Sequence, residues 1–407
     1  MRFLLVMLFW LACIAVAWNV ACASCSPFRV PTSRKIERLE RNCNRLTELT
    51  GRIRFKPLNN FTVGDKSYTL PLETLPPPSH LPSQQELEYL AGFFDGDGCV
   101  TMTKRTGQMS MSIGQALDSV RVLIRFRDSL GGGVHHQSCR TGTRKAALQW
   151  RVYGATMQHA AQVLCKVPSM KRAQLQVAAA GIIGKADRSD VAQKLKLLKQ
   201  KDHVPASFHC SWPYFAGFFD AEGSITVEGR SLGLYLKVRQ MNSFVLQELH
   251  SFLHTGELTK WKLRLGSDGC NTLQCTDLAT CKLTLQHLLD GGLEVKQRQA
   301  TLALSLTLGN HKQVRNKVIA LNGLQKRYDV LDDAGIDRAK QIQSLSHKCR
   351  RASSKQESEL LQVKLEALRE EHELQTLIVK SKRLRGSIRQ LLQEGGFMKP
   401  VSKMRNK

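Results

Sequence analysis

Two stretches of the chain alternate apolar and polar residues. Residues 109–113 alternate methionine or isoleucine with serine, and residues 234–239 alternate leucine or valine with tyrosine, lysine and arginine. A period of two predicts strands that bury one face. Residues 84–94 have a helical pattern, and residues 120–126 and 245–252 repeat apolar side chains at the three- and four-residue spacing of helices that face a core. Helices together with such half-buried strands predict a mixed fold, which we assign to the α+β class.

The middle of the chain contains an internal repeat. Residues 90–98, LAGFFDGDG, recur 125 residues later as residues 215–223, FAGFFDAEG. The same interval relates three further pairs: Gln115 and Gln240, Gly131 and Gly256, and Lys171 and Lys296. One interval at four separated places indicates two copies of one domain. The sequence therefore predicts repeats at 81–190 and 205–328, joined by a polar segment around 187–205.

The charge of the chain favours a polyanionic partner. Its 407 residues include 60 Lys and Arg against 34 Asp and Glu, a formal net charge of +26. An excess of this size favours nucleic acid or an anionic membrane over an acidic protein surface. Hydrophobic residues make up 42% of the chain, which is enough for a core of two or three domains and excludes disorder throughout.

One predicted sheet has a strongly basic face. Lysine and arginine occupy the polar positions of residues 234–239, and they alternate again with tryptophan and leucine in residues 260–265. An ordinary solvated face would mix both signs, whereas these positions carry five cations and no acid. The pattern favours a nucleic-acid surface. The five cations are Lys237, Arg239, Lys260, Lys262 and Arg264.

Small residues form a strip on each predicted motif helix. Gly92 and Gly96 lie one helical turn apart, and Gly217 and Ala221 repeat this spacing. Small strips allow two helices to approach backbone to backbone. We therefore expect the two motif helices to cross on these faces.

Each motif helix ends in an acidic pair followed by glycine. If the helices cross, the second acids of the two pairs, Asp97 and Glu222, lie side by side. Paired carboxylates form a site for a hard divalent cation such as Mg²⁺, which suits phosphodiester hydrolysis. Gly98 and Gly223 are expected to let the chain leave each helix in a turn.

Both segments resemble the nine-residue signature of the LAGLIDADG homing endonucleases, specifically the single-chain type with two repeats. The resemblance covers roughly residues 85–325, with mild departures at Phe215 and Glu222. It implies two pseudo-symmetric αββαββα repeats that form a β-saddle on double-stranded DNA, in a monomer with an internal pseudo-dimer. It also implies a site-specific endonuclease that hydrolyses both strands of a long asymmetric site with Mg²⁺.

The resemblance assigns roles to individual positions. Asp97 and Glu222 match the metal-binding acids, whereas Asp95 and Asp220 are expected to serve the turn structurally. Polar and basic positions that organise water around the scissile phosphates match Gln115, Gln240, Lys171 and Lys296. A glutamine can orient water, and a lysine can stabilise developing charge. Candidate contacts to bases or phosphates are Gln149, Arg151, Lys237, Arg239, Lys260, Lys262 and Arg264.

Two other functions remain open from the sequence. A non-cleaving protein on the same scaffold would act as an intron-splicing maturase or an organellar RNA-processing factor and would bind intron RNA. A membrane-anchored basic adaptor would keep its apolar N-terminal segment, but the doubled acids would then have no role.

Both ends of the chain lie outside the resemblance. Residues 1–23 are typical of a secretory signal peptide, with an uncleaved membrane anchor as the alternative. Residues 24–80 form a basic leader that ends in a proline-rich linker, and this layout resembles the bipartite presequences of algae with complex plastids. We therefore expect an organellar protein, in the plastid first and the mitochondrion second. Residues 329–407 predict a basic helical tail, either solvated or adding DNA affinity or a protein contact.

Cysteine usage adds little to this picture. The twelve cysteines show no repeated pairing interval and are read mostly as small buried residues. The CxxC pair Cys22 and Cys25 lies at the edge of the apolar leader, where processing would separate it.

Overall fold

The computed structural model describes residues 29–103, 106–181, 188–200, 208–229, 231–256, 258–266, 269–321 and 327–399. The signal-like segment and the Cys22 and Cys25 pair lie outside these residues. The described chain divides into two units, a helical unit formed by its two ends and a larger α+β unit. None of the helices in the described ranges is long and apolar enough to cross a membrane.

The first repeat has the order αββαββα, as predicted. Its elements are α2 (Gln84–Asp97), β5 (Gly98–Met102), β6 (Met109–Ala116), α3 (Val120–Leu130), β7 (Gly132–Ser138), β8 (Ala147–Tyr153) and α4 (Gly154–Leu164), with a 3₁₀ turn at Leu117–Ser119. Two further helices follow: α5 (Arg172–Ala180) and α6 (Arg188–Leu198). The segment expected to join the repeats therefore contains a helix.

The second repeat follows the same order. Its elements are α7 (Trp212–Glu222), β9 (Gly223–Val227), β10 (Leu234–Gln240), α8 (Ser243–Thr255), β11 (Lys262–Arg264), β12 (Asn271–Cys275) and α9 (Leu278–Asp290), followed by α10 (Gln297–Leu304) and α11 (His311–Leu321). The starts of β5 and β9, of β6 and β10, and of α5 and α10 are each 125 residues apart. The interval found in the sequence is therefore the interval of the fold.

Each repeat contributes one antiparallel sheet. The second sheet has the strand order β11-β12-β10-β9. The first has the corresponding order β7-β8-β6-β5 plus an edge strand, β4 (Leu72–Leu75), which pairs with β7. Strand β4 comes from the segment interpreted as leader and linker. The first sheet is therefore extended by chain that precedes the repeat.

The alternation of residues 109–113 is confirmed only for its apolar positions. Met109, Met111 and Ile113 are buried in the core. Ser110 and Ser112 are buried as well, so the prediction that this strand buries one face is wrong. The two small serines lie between the larger cross-strand residues of β5 and β8. One continuous core, rich in leucine, valine and phenylalanine, runs through both repeats and includes both motif helices.

Three short strands precede β4, and one follows the tail. They are β1 (Ile53–Arg54), β2 (Asn60–Val63), β3 (Lys66–Thr69) and β13 (Phe397–Met398). Strands β2 and β3 form a hairpin, and β1 pairs with β13 near the other end of the chain. Residues 53–75 therefore belong to the folded α+β unit.

The helical unit consists of residues up to Gly51 and residues 328–390. Its helices are α1 (Arg29–Arg52), α12 (Asp333–Arg350) and α13 (Lys355–Gln393), two of which extend slightly beyond the unit. The Cys43 thiol of α1 donates to the Leu377 carbonyl of α13 at 3.6 Å, and Leu384 is fully buried. The tail is therefore packed against residues 29–51, which the sequence presented as part of the leader.

The described cysteines all have free thiols. Cys43, Cys275 and Cys281 are buried, and the other six are half-buried. The interpretation of most cysteines as buried residues therefore holds for only three of the nine that the structure describes.

Candidate active site at the crossing of the motif helices

The motif helices α2 and α7 touch through the predicted small faces. A Cβ atom added at Gly92 would lie 2.0 Å from the Tyr214 carbonyl oxygen, and one at Gly217 would lie 2.0 Å from the Tyr89 carbonyl oxygen. One turn further along, a Cβ at Gly96 would lie 2.3 Å from the Ala221 Cβ. No side chain fits between the backbones at these points, so glycine is required by the close approach.

The glycines after the motif helices have a different role from the predicted one. Gly98 and Gly223 have φ values of −75° and −77° and begin the next strands in an extended conformation. A left-handed turn is therefore absent at both positions. A Cβ would instead lie 2.3 Å from the Phe94 ring at Gly98 and 2.5 Å from the Phe219 ring at Gly223. Glycine is needed here because the phenylalanine of the motif occupies the space of a side chain.

The first acids of the two pairs hold the loop before α5 or α10. The Asp95 carboxylate accepts hydrogen bonds from the Ser169 hydroxyl at 2.7 Å and from the backbone N–H groups of Met170 and Lys171 at 2.6 and 3.0 Å. Asp220 accepts backbone N–H groups of Glu294, Val295 and Lys296 at 2.6 to 3.0 Å. Both aspartates are buried. Their geometry is that of structural residues.

A tyrosine from the opposite repeat donates a further hydrogen bond to each of these aspartates. Tyr214 donates its hydroxyl to Asp95, and Tyr89 donates its hydroxyl to Asp220, both at 2.8 Å. Burial raises the pKa of both aspartates and holds the pKa of both tyrosines well above the usual range. Each repeat therefore stabilises the motif turn of the other. Sequence reasoning missed these tyrosines, although they lie at the same 125-residue interval, directly before each motif.

The second acids lie at the crossing itself. Gly96, beside Asp97, is so close to the other helix that a Cβ there would lie 3.2 Å from the Glu222 Cγ. The Gln115 amide donates to Asp97 at 2.5 Å, and the Gln240 amide donates to Glu222 at 3.3 Å. Both glutamines lie near the ends of the second strands, as predicted. The fold thus brings two matched carboxylate and glutamine pairs together.

The two lysines occupy the N-cap positions of the following helices, and their side chains reach back to the motif turns. Lys171 and Lys296 are the N-cap residues of α5 and α10. The Lys171 ammonium donates to the carbonyls of Phe94 at 2.9 Å, Gly96 at 3.4 Å and Gly98 at 2.6 Å, and the Lys296 ammonium donates to the Asp220 carbonyl. Burial lowers the pKa of both lysines, and nearby carboxylates oppose that shift.

The electrostatics of the acidic pair favour a bound cation. Burial raises the pKa of Asp97, although part of its side chain stays in contact with solvent, and burial followed by repulsion from Asp97 raises the pKa of Glu222. In the described part of the chain, no group of three His, Cys, Asp or Glu side chains converges as metal ligands. Two carboxylates fit Mg²⁺, which commonly binds one or two protein carboxylates and takes its other ligands from water and substrate phosphates.

The second sheet presents the predicted cations on one face. Strand pairing places Lys262, Gln274 and Lys237 in one row, and Arg264, Thr272 and Arg239 in the next. The opposite face carries Leu236, Val238 and Leu273, all buried. Lys260 is exposed in the turn before β11, outside the strand.

One apolar position of this pattern was predicted wrongly. The alternation placed Leu265 on the buried face with Trp261, and Trp261 is indeed buried. Leu265 is 64% exposed, because β11 ends at Arg264 and the chain leaves the sheet before this residue.

The first sheet has a more neutral polar face. Gln149 lies between Gly114 and His135, and Arg151 lies between Ser112 and Gly133. Both Gln149 and Arg151 are half-buried, and Arg151 donates to the Tyr153 hydroxyl at 3.0 Å. Burial, followed by the charge of Arg151, lowers the pKa of His135. The polar faces of the two repeats therefore differ in charge.

An asymmetric ion-pair network also links the repeats. Arg125 of α3 donates to Glu86 of the same repeat at 2.6 Å and to Glu294 of the other repeat at 3.2 Å. Its guanidinium lies 3.6 Å from the centroid of the Tyr89 ring. The second repeat has His250 at the position that corresponds to Arg125, so the repeat pattern did not reveal this network.

Several solved structures are similar to this chain. The LAGLIDADG meganuclease I-AabMI, bound to uncleaved DNA, is 17% identical with a TM-score of 0.44, and the match covers 57% of this chain and 97% of that one. The LAGLIDADG homing endonuclease I-GzeII, in complex with its DNA target, is 10% identical with a TM-score of 0.44, and the match covers 61% and 98%. I-SmaMI, bound to an uncleaved DNA target in the presence of calcium ions, is 13% identical with a TM-score of 0.42, and the match covers 59% and 99%. No protein-family model matches the sequence, and no curated protein matches it.

Proposed function

We propose that this chain is a divalent-metal-dependent DNA endonuclease of the LAGLIDADG homing type, which hydrolyses both strands of a long asymmetric duplex site. The observation that supports this most directly is the pairing of Asp97 and Glu222 at the helix crossing, each with a glutamine from its own sheet. One acid from each repeat is what two cuts in two strands require. The closely packed α2 and α7 hold these acids in position.

Asp97 and Glu222 would hold Mg²⁺. When bound, the metal ion would lower the pKa of a water molecule and neutralise charge on the scissile phosphate. Gln115 and Gln240 fix the orientation of the carboxylates. The Gln240 side-chain oxygen accepts the Met241 N–H at 2.8 Å and has a second lone pair that can orient water. Lys171 and Lys296 hold positive charge beside the same carboxylates. Nearby positive charge favours the ionised carboxylates that a metal requires.

Double-stranded DNA is the substrate that the sheet faces fit. The second sheet offers rows of exposed or half-exposed Lys and Arg at strand spacing, which suit phosphates and base edges. The first sheet offers the half-buried side chains of His135, Gln149 and Arg151, whereas Ser110 and Ser112 are buried. Because the two faces differ in charge and shape, the two halves of the recognised site would differ in sequence. A single chain with both acids would cut such a site as a monomer.

Cleavage of a randomised duplex DNA library by the full chain tests this proposal. We expect cut ends that share one long motif with Mg²⁺ and none with EDTA. Asp97→Asn and Glu222→Gln should abolish double-strand cutting, because each removes a metal ligand. Asp128→Asn is the matched control, since Asp128 is an exposed acid of the same unit whose only described ion pair is with Arg127, and it should cut normally.

Uncut DNA would refute the endonuclease. If the full chain binds nucleic acid in a salt-sensitive manner without any Mg²⁺-dependent ends, the intron-splicing or RNA-processing function takes its place. Binding to intron RNA would then be measured next. Single-strand nicks from one acid variant and no cut from the other would support unequal sites within the same enzyme.

We also propose that the protein is delivered to an organelle, the plastid first and the mitochondrion as the alternative. The support is the signal-like segment at residues 1–23. The basic residues 34–52 lie in α1 of the helical unit and are not counted as a removable leader. A fluorescent fusion of residues 1–28 in an alga with complex plastids tests the proposal. Fluorescence retained in the endoplasmic reticulum would instead indicate an uncleaved anchor.

A further inference from the structure

The helical unit contains a groove with a uniform charge. Two adjoining cavities of about 530 and 570 Å³ share Leu39 of α1 and Arg385 of α13 in their linings. Helix α1 contributes Lys35, Arg38, Arg41 and Arg45. Helix α13 contributes Lys382, Arg385 and Arg389. We call this set of seven cations the basic groove; among the residues that the structure describes, no acid lines either cavity.

The seven side chains of the basic groove are exposed and available to a ligand. Among the described residues, no carboxylate forms an ion pair with any of them. Neighbouring cations on the same helix are used differently: Lys380 pairs with Asp329, and Arg383 donates to the Val330 carbonyl. Intramolecular contacts therefore hold the cations that point into the unit and leave those of the groove unpaired.

The sequence keeps acids away from this surface. Helix α13 has no acidic residue between Glu373 and its end. Helix α1 carries Glu37, Glu40 and Glu48, but none of them lines either cavity. Like charges held this close repel one another, and they raise the local concentration of an anionic partner.

The shape and composition of the groove select the partner's chemistry. From Lys35 to Arg45 the row on α1 extends about 15 Å, at about 1.5 Å per residue. That length reaches several consecutive phosphates of a nucleic-acid strand. Five of the seven cations are arginines, whose planar guanidinium matches phosphate in a bidentate manner. The described lining of the cavities contains no aromatic side chain, so it offers bases no stacking surface.

We propose that the basic groove is a second nucleic-acid site, which binds the phosphate backbone of duplex DNA without regard to sequence. Contact with phosphates alone explains a lining with many cations and no aromatic ring. The choice of DNA as the source of the phosphates rests on the proposed function of the repeats. The site itself is separate in sequence from Asp97 and Glu222 and does not depend on cleavage.

A salt titration of the full chain tests the groove. Binding to a duplex of arbitrary sequence is measured in EDTA, so that cleavage plays no part. The variant Arg38→Gln/Arg385→Gln/Arg389→Gln removes three groove cations, and each phosphate contact contributes about 0.9 to the logarithmic salt slope. We expect a slope lower by about 2 to 3, so that the loss of affinity between about 50 and 200 mM salt becomes about forty-fold smaller.

A charge-matched control distinguishes binding at the basic groove from general electrostatic attraction between the chain and DNA. Lys348→Gln/Lys364→Gln/Arg369→Gln removes the same charge from exposed positions of α12 and α13 outside the groove. This control should keep the original slope. Equal effects of the two triple variants would overturn the proposal, because the groove would then act only through net charge.

Protection of lysines from acetylation in the wild-type chain gives a second readout, which does not depend on whether a variant folds. Acetylation of Lys35 and Lys382, followed by mass spectrometry, should slow several-fold when duplex DNA is added, while Lys348 should react as before. Unprotected Lys35 and Lys382 would overturn the site. Stronger protection by duplex RNA, by single strands or by vesicles of anionic lipid would overturn duplex DNA as the ligand. Cleavage by the same sample is scored separately, so failure of the endonuclease proposal stays distinguishable.

Discussion

Replacing a crossing glycine by alanine should separate the motif helices. In Gly92→Ala the new Cβ would lie 2.0 Å from the Tyr214 carbonyl oxygen, whereas real Cβ atoms essentially never approach another atom within 3.0 Å. The backbones must therefore move apart by about 1 Å. Because the opposing atom belongs to the backbone of a buried helix, no side-chain rotation can relieve the contact.

The expected cost follows from two opposing effects. Overpacking of a well-packed core typically costs about 1–3 kcal/mol. Replacing glycine by alanine within a helix raises the free energy of unfolding by up to about 1 kcal/mol, because alanine has the higher helix propensity. Since the contact involves backbone and is severe, we expect Gly92→Ala to lose about 2 kcal/mol in the free energy of unfolding. At about 2–3 °C per kcal/mol for a unit of this size, the melting temperature should fall by about 5 °C.

Thermal unfolding and cleavage of the same samples provide the measurement. Gly386→Ala is the control, because Gly386 is exposed in α13 and nothing lies within 4 Å of an added Cβ. It should be unchanged or more stable by up to about 1 kcal/mol. Gly92→Ala should also cleave more slowly, since the shift moves Asp97 relative to Glu222. A Gly92→Ala protein that is as stable as Gly386→Ala would refute the close approach.

Three further predictions use other contacts of the same unit. Tyr214→Phe should cost about 1–3 kcal/mol in denaturant unfolding, because the buried Asp95 loses a hydrogen-bond donor. The affinity for Ca²⁺, measured calorimetrically, should begin to fall at a higher pH than it would at a site built from an ordinary aspartate. Burial raises the pKa of Asp97, so the proton competes with the metal at that higher pH. An affinity that is constant down to pH 4 would contradict this. A double-mutant cycle of Arg125→Met and Glu86→Gln should show about 1 kcal/mol of coupling, since this pair is half-buried and bidentate, and strict additivity would count against it.

Local patterns predicted most of the repeat architecture. The alternation of residues 109–113, the 125-residue interval and the small strips each reappear as strands, equivalent elements and the helix crossing. Each of these features is set by residues that lie close together within one helix or strand, or by the same residues repeated in two equivalent elements. The sequence carries that information directly, because periodicity in the chain becomes a face of a helix or strand.

Features that join remote segments were not predictable in this way. Strand β4 adds to the first sheet through Leu72 and Leu75, and α1 contacts α13 through the Cys43 thiol and the Leu377 carbonyl. The basic and proline-rich composition of residues 24–80 indicated a leader instead. Burial against a partner hundreds of residues away decides such structure, and no local pattern records which partner is chosen.

Lys171 and Lys296 lie at equivalent positions of the two repeats but make different contacts, which the 125-residue interval could not predict. Their common position predicted equal roles, and both occupy the N-cap positions of equivalent helices. An ammonium group has three donors, and Lys171 uses them on three carbonyls of the first motif turn. Lys296 donates to one described carbonyl, that of Asp220. Under the proposed function, Lys171 would contact a phosphate only by giving up a carbonyl, whereas Lys296 has one carbonyl partner among the described residues. Together with the longer Glu222, this asymmetry predicts that the two halves of the site act at different rates.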